Sequence, residues 1–293
     1  MNKIKEIHIF GTSFTAGGGY LWEVPEEILE NHSPIKDRLK MLNDKYDEEP
    51  KTMFHYSWPG QLQALFKEQR NGIKVFNHAK EGFGNETMYR ITNDLLWDGN
   101  TRIDSDDKIF IYEFSGLGRK EIWFNLIEDY CVLNYGDMEK SLSNGGFVGV
   151  HQTHRLNSIG VHFKKDVDKW KRVDSVARTY LNETIDLKEQ LKLLERNNHM
   201  FIDSLLHQKI NFYTVSPPEY PLDKIKNRCI KFGDTIDFVE WGLAKGGLRI
   251  QDDIRIKDSH FNLKGNKMIA KIVYDKLNIT NAGYKVRNEE LDV

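Results

Sequence analysis

Lys108-Ile109-Phe110-Ile111-Tyr112-Glu113-Phe114 is the clearest strand in the chain. Apolar and aromatic residues follow one another there without the polar alternation of a half-buried strand, so the segment is expected to be covered on both faces. Asp106-Asp107 ahead of it supply the turn into a sheet. Three shorter segments, Lys5–Phe10, Ile73–Asn77 and Asn211–Val215, read as further strands.

Helical periods lie between and after them. Trp58–Gln69 carries Pro59 where a helix first turn tolerates it, with Leu62, Leu65 and Phe66 at helical spacing. Glu86–Leu96 places Met88, Ile91, Leu95 and Leu96 on one side. Leu181–Gln208 carries Leu187, Leu191, Leu194, Met200, Ile202 and Leu205, and Leu263–Leu277 turns Met268, Ile269, Ile272, Val273 and Leu277 inward. Strands alternating with helices predict an α/β fold: a three-layer α/β/α sandwich on a parallel sheet of about five strands, flavodoxin-like in its wiring. The expected organisation is one domain over residues 1–293, with insertions near 17–57, 119–180 and 217–256. The 119–180 excursion is expected to hold some helix.

Hydrophobic residues at 39% support a sizeable core, and a formal net charge of -2 argues against a general nucleic-acid or membrane-surface partner. Cys131 and Cys229 are far apart and lack CxxC spacing, which points away from a disulfide framework or zinc site. The first ten residues are too short and too charged for a signal peptide, and no apolar run approaches the ~20 residues of a membrane span. The expected location is the cytoplasm, with association with a virus particle left open.

In a parallel sheet the reactive groups gather at the C-terminal strand ends. Ser13, Gly82, Ser115 and Pro217 all fall just after expected strands. Gly11-Thr12-Ser13-Phe14-Thr15 can present a hydroxyl at the sheet edge, with backbone N–H groups nearby to stabilise an oxyanion. Thr12, Ser13 and Thr15 also suit a helix N-cap. Near the other end, Asp258-Ser259-His260 precedes the last helix. His260 can serve as general base with Asp258 orienting it, or the segment can simply cap that helix.

Taken together, these blocks resemble the SGNH (GDSL-type) hydrolase family. Gly11–Thr15 is similar to its first block, with Thr12 where Asp is usual. Val75-Phe76-Asn77-His78-Ala79-Lys80-Glu81-Gly82 is similar to the second, with Asn five residues ahead of the glycine. Asp258-Ser259-His260, followed by Gly265, is similar to the last. The resemblance implies Ser13 as nucleophile, His260 as base and Asp258 as its partner, with the Ser13 and Gly82 N–H groups as oxyanion donors.

Two departures stand out. The family's third block supplies an oxyanion Asn after the central strand, whereas this chain reads Ser115-Gly116-Leu117-Gly118-Arg119. Divergent and viral-type members show a similar Ser…Arg pattern. Ser115, the Gly116 N–H, Arg119 and Asn85 are the candidates to replace that Asn. The replacement matters because losing one oxyanion donor costs ~10²–10³ in rate. The second departure is that Asp258 lies two residues before His260 rather than three, which leaves Asp252 and Asp253 as alternatives.

The implied activity is hydrolysis of a carboxylic ester through an acyl-enzyme, with no metal and no organic cofactor. The polar, aromatic-rich insertions favour a small-molecule or acylated carbohydrate substrate. The alternatives are a degenerate SGNH scaffold used for binding or as a structural, virion-associated part, and acyl transfer through the same serine. A homo-oligomer or larger assembly is left open. His151, His154 and His162 match no standard metal spacing, Gly17-Gly18-Gly19 lacks the Lys-Ser/Thr of a P-loop, and most tryptophans are expected in the core.

Overall fold

The computed structural model describes residues 4–17, 54–55, 57–69, 72–79, 83–115, 119–125, 129–134, 150–152, 187–218, 222–236, 260–261, 263–277, 279–280 and 283–284, with 172, 175, 176, 179, 238 and 241 as single positions. In chain order the elements are β1 Glu6–Phe10, α1 Ser13–Ala16, α2 Trp58–Glu68, β2 Lys74–Asn77, α3 Asn85–Leu96, β3 Trp97–Asp98 and β4 Thr101–Arg102. There follow β5 Lys108–Glu113, β6 Arg119–Phe124, β7 Asp129–Asn134, β8 Val150–Gln152, α4 Leu187–His207, β9 Phe212–Ser216, α5 Leu222–Ile225, α6 Leu263–Leu277, β10 Ile279–Thr280 and β11 Gly283–Tyr284.

The main sheet has the order β2-β1-β5-β9, and every neighbouring pair in it is parallel. Among the described residues it has four strands, where about five were expected. β1 and β5 are its interior strands, in register from Glu6 opposite Lys108 to Phe10 opposite Tyr112. Successive residues of a strand point to opposite faces. Ile109 and Ile111 therefore join Ile7, Ile9, Val75 and Val215 in one core, with Trp58, Leu62 and Phe66 of α2 and Ile269, Val273 and Leu277 of α6. Phe110 and Tyr112 join Phe10 and Phe212 in the other, with Met88 and Leu96 of α3 and Ile202 and Leu205 of α4. Both faces of β5 are covered, which is the physical meaning of its unbroken apolar run. Each fully buried side chain of this kind contributes roughly 1.5–3 kcal/mol.

Helix α2 begins where its sequence allows. Ser57 is the N-cap, its Oγ accepting from Gly60 N at 3.2 Å and donating to the Phe54 carbonyl at 2.7 Å. Pro59 sits in the first turn, where its missing N–H costs nothing. A Cβ on Gly60 would stand 1.7 Å from the Phe54 carbonyl oxygen, so this turn closes only over a glycine.

The 119–180 segment holds helical positions at 172, 175, 176 and 179, and also strands that were not expected: β6, β7 and β8 form an antiparallel sheet, β6 pairing β7 from Arg119↔Asn134 to Phe124↔Asp129. Arg119-Lys120-Glu121-Ile122-Trp123 alternates little in hydropathy, so no strand period was visible. Met200 is 64% exposed on α4, while Leu194, Ile202 and Leu205 of the same helix are buried. The insertion at 17–57 lies almost wholly outside the described residues, whereas that at 217–256 is described at 217–218, 222–236, 238 and 241 and carries α5. Among the described residues, no helix is long and apolar enough to cross a membrane.

Candidate active site

Because the four strands are parallel, their C-terminal ends share one edge. The chain leaves β1 there through Gly11 and Thr12 and enters α1, with Thr12 as N-cap and Ser13 as the first helical residue. Ser13 is partly exposed and Thr12 is buried. The Thr12 side chain caps nothing on α1. Its hydroxyl is instead donated to Oε1 of Glu113, the last residue of β5. Oε2 of the same carboxylate accepts Thr12 N at 3.0 Å and Thr15 N at 3.1 Å. Glu113 thus satisfies two of the N–H groups that a helix start leaves unpaired.

Burial is nearly complete at Glu113, 4% exposed. Desolvation pushes its pKa above the ordinary carboxylate range, and the hydrogen bonds from Thr12 and Thr15 pull it back only in part. Gly11 makes room for the group: a Cβ there would lie 2.4 Å from Glu113 Oε2 and 2.8 Å from Thr15 Oγ1. Trp58 Nε1 donates to Thr15 Oγ1 at 3.1 Å, and Asn77 Nδ2 donates to the Thr15 carbonyl at 3.1 Å. Asn77 Oδ1 accepts Ala79 N at 3.1 Å, which ties the end of β2 to the same turn.

His260 comes to this turn from the other end of the sequence. Its ring lies 5.0 Å from that of Phe14, tilted at 44°, and Phe261 lies 5.4 Å from Phe14. The imidazole therefore rests on the residue next to Ser13. Among the described residues no hydrogen bond from the Ser13 hydroxyl is formed. Catalytic hydrogen bonds in unliganded sites are commonly long and tighten when substrate binds. Asp258, Asp252 and Asp253 lie outside the described residues, as do Gly82 and Gly116.

The other side of the edge is built by Asn85, Ser115 and Arg119. Asn85 opens α3 and is 4% exposed. Its Oδ1 accepts Ser115 N at 2.7 Å and Ser115 Oγ at 3.0 Å. Its Nδ2 donates to the Ser115 carbonyl and to Asn198 Oδ1, both at 3.1 Å. Tyr89 OH also donates to Asn198 Oδ1. The carboxamide of Asn85 spends both its hydrogens on the protein and braces Ser115. Arg119 Nη1 donates to the Phe83 carbonyl at 2.8 Å, and a Cβ on Gly84 would meet Arg119 Cβ at 3.0 Å. Arg119 thus clasps the residues that follow Gly82.

An ion-pair network fixes β6 to α3. Arg90 Nη2 meets Glu121 Oε1 at 2.8 Å, and Lys120 Nζ meets Glu86 Oε1 at 2.6 Å. Thr87 Oγ1 donates to Glu121 at 3.0 Å.

Sequence reasoning did not single out Glu113, Trp58 or Asn198 for the site. A signal for Glu113 was present: a carboxylate closing an otherwise apolar strand has to find donors. Nothing local marked Asn198, which reaches Asn85 from mid-helix. The histidine segment is only partly described, His151 falling in β8 and His154 and His162 outside the described residues. Among the described residues no group of three His, Cys, Asp or Glu is placed to hold a metal ion. No protein-family model, no curated protein and no solved structure matches this chain.

Proposed function

We propose that this chain is a serine acylhydrolase of the SGNH type, a divergent member on a three-layer, flavodoxin-like scaffold, that cleaves a carboxylic ester. The observation that carries the reading is the meeting of the two ends: Ser13 opens a turn at the C-terminal edge of the parallel sheet, and the His260 ring lies against the adjacent Phe14 at 5.0 Å. Helices on both faces of the sheet, and the strand order β2-β1-β5-β9, support the scaffold.

Ser13 Oγ attacks the acyl carbonyl while His260 takes its proton, and the carbonyl π electrons move onto oxygen. The tetrahedral oxyanion is received by the Ser13 N–H and the Gly82 N–H. The group braced by Asn85, Ser115 and Arg119 stands on the side where the family's third donor would act. Collapse expels the alcohol, which takes the proton from His260. Water, deprotonated by His260, then adds to the acyl carbon, and collapse breaks the bond to Ser13 Oγ, which takes the proton back from His260 as the acid leaves. Asp258 holds the His260 tautomer. Acylated carbohydrates are the substrate class we favour.

The test is covalent. A fluorophosphonate probe labels Ser13 in the intact protein, Ser13→Ala abolishes the labelling, and p-nitrophenyl acetate is hydrolysed by the wild type alone. A wild type that is neither labelled nor active overturns the reading. In that case a binding or virion-structural scaffold gains, for which the complete internal commitment of the Asn85 carboxamide is the favouring observation.

A further inference from the structure

We propose that Glu113 is a positioning residue for the nucleophile, holding the Gly11–Thr15 turn from below so that Ser13 faces the substrate, and that Thr12 is the donor that makes a buried carboxylate tenable there. The proposal rests on the hydrolase reading above and extends it to a residue that neither the motifs nor the triad include.

The geometry is specific. A short turn has few hydrogen bonds of its own: in α1, Ala16 N returns to Thr12 O at 2.8 Å and Gly17 N to Ser13 O. Orientation of the turn therefore falls to outside partners. Glu113 grips it at two points three residues apart, Thr12 N and Thr15 N, and at the Thr12 hydroxyl. Ser13 is the first of the two residues between those points. A rigid strand end carries the grip, because β5 lies between β1 and β9 in the sheet. Gly11 leaves the space the carboxylate occupies. A carboxylate at position 12 would set two acids against each other in a buried site, whereas a threonine hydroxyl there donates. Misplacing a reacting group by about 1 Å costs on the order of 10²-fold in rate.

The same contacts predict which substitution is tolerated. In Glu113→Gln the amide oxygen can take the place of Oε2 and accept both N–H groups. The amide nitrogen then faces the Thr12 hydroxyl, which can accept as well as donate. Glu113→Ala removes every one of these contacts.

The experiment measures the second-order rate constant for fluorophosphonate labelling of Ser13, corrected for the active fraction by active-site titration. It is paired with hydrogen exchange at the Thr12 and Thr15 amides. Expected are a per-site constant lowered by about 10–100-fold in Glu113→Ala, recovery of most of it in Glu113→Gln, and loss of protection at both amides only in Glu113→Ala. A merely structural role would reduce the active fraction and leave the per-site constant at the wild-type value, and that result overturns the proposal. A Glu113→Gln variant as slow as Glu113→Ala also overturns it, since it makes the charge, not the grip, the effective element. If Glu113→Ala does not fold, Thr12→Val, which deletes only the hydroxyl donor, carries the rate test, with a fall of at least about 3-fold expected and no fall overturning the proposal. A wild type that is not labelled at all removes the nucleophile and with it the positioning role. Exchange at the two amides then still reports whether Glu113 holds the turn.

Discussion

Two regions flank the same strand-end edge and are held in opposite ways. The turn bearing Ser13 is held mainly by one buried carboxylate: Glu113 accepts the Thr12 hydroxyl and the Thr12 and Thr15 N–H groups, Gly11 is the space it needs, and Trp58 and Asn77 add one hydrogen bond each at Thr15. The facing region is held by a distributed net, Asn85 to Ser115 and Asn198, Tyr89 to Asn198, Arg119 to Phe83 and Glu86 to Lys120. One dominant anchor fixes a position sharply, and its loss leaves Thr12 with no side-chain partner and Thr15 with only its bonds to Trp58 and Asn77. A net shares the load, so removing one member leaves others in place. That contrast suits a reacting group on one side and a shaped, substitutable wall on the other.

The largest expected effect strikes the anchored side. Ser13→Ala lowers ester hydrolysis by ~10³-fold or more, about 4 kcal/mol in the barrier, with melting temperature unchanged. Steady-state kinetics beside a thermal melt read both, and retained turnover would remove Ser13 from the centre of the comparison. Next comes Gly11→Ala, whose new methyl has to share space with Glu113 and Thr15; it destabilises by about 3 kcal/mol, read by urea unfolding. A neutral result would mean that the carboxylate can move aside and that Glu113 is not the dominant anchor.

Asn85→Ala tests the net. It strips the hydrogen bonds from Ser115 and Asn198 and costs about 2 kcal/mol of stability, while the labelling rate per active site falls by less than about 10-fold. A fall as deep as that of Ser13→Ala would erase the difference between the two sides.

The smallest effect concerns a buried polar group outside both regions. His8 is 4% exposed, with Nδ1 3.0 Å from His78 Nε2 and Nε2 3.1 Å from Glu6 Oε2, and with Lys108 and Asp107 also acting on it. Burial lowers its pKa below 6.5, and Glu6 offsets this only in part. Below the unfolded-state value the unfolded chain binds the proton more readily than the folded one, so stability is full above it and is lost as pH falls through the lowered folded value. The melting temperature should therefore fall as pH is lowered through about 6.5 and on through the lowered folded value, and less steeply in His8→Phe. Equal slopes would show that the pair with His78 already accommodates the proton.

Much of the frame was legible because burial writes itself into local patterns. The unbroken apolar run at Lys108–Phe114 announced a strand covered on both faces, and β5 is that strand, from Lys108 to Glu113. The period of Leu263–Leu277 matched its helix from end to end. β6, with its weak hydropathy alternation, was not legible, because its place is set by the ladder with β7 and by ion pairs to α3, which leave no local period. The Ser13 and His260 candidates rested on residue types at strand ends, and their nearness through Phe14 is a tertiary fact.

By itself, then, the chain determined the α/β alternation, the apolar faces of the main helices and a shortlist of reactive residues, since each depends on neighbours within a few positions. Only the tertiary structure decided that Glu113 underlies the Ser13 turn, that the Asn85 carboxamide is spent on Ser115 and Asn198, and that Arg119 grips Phe83. Each of those pairings spans 30 residues or more, 101 for Glu113 with Thr12. The hydrogen-bonding needs of a buried polar group name the kind of partner it requires, but only the packed sheet and its helices determine which residue arrives.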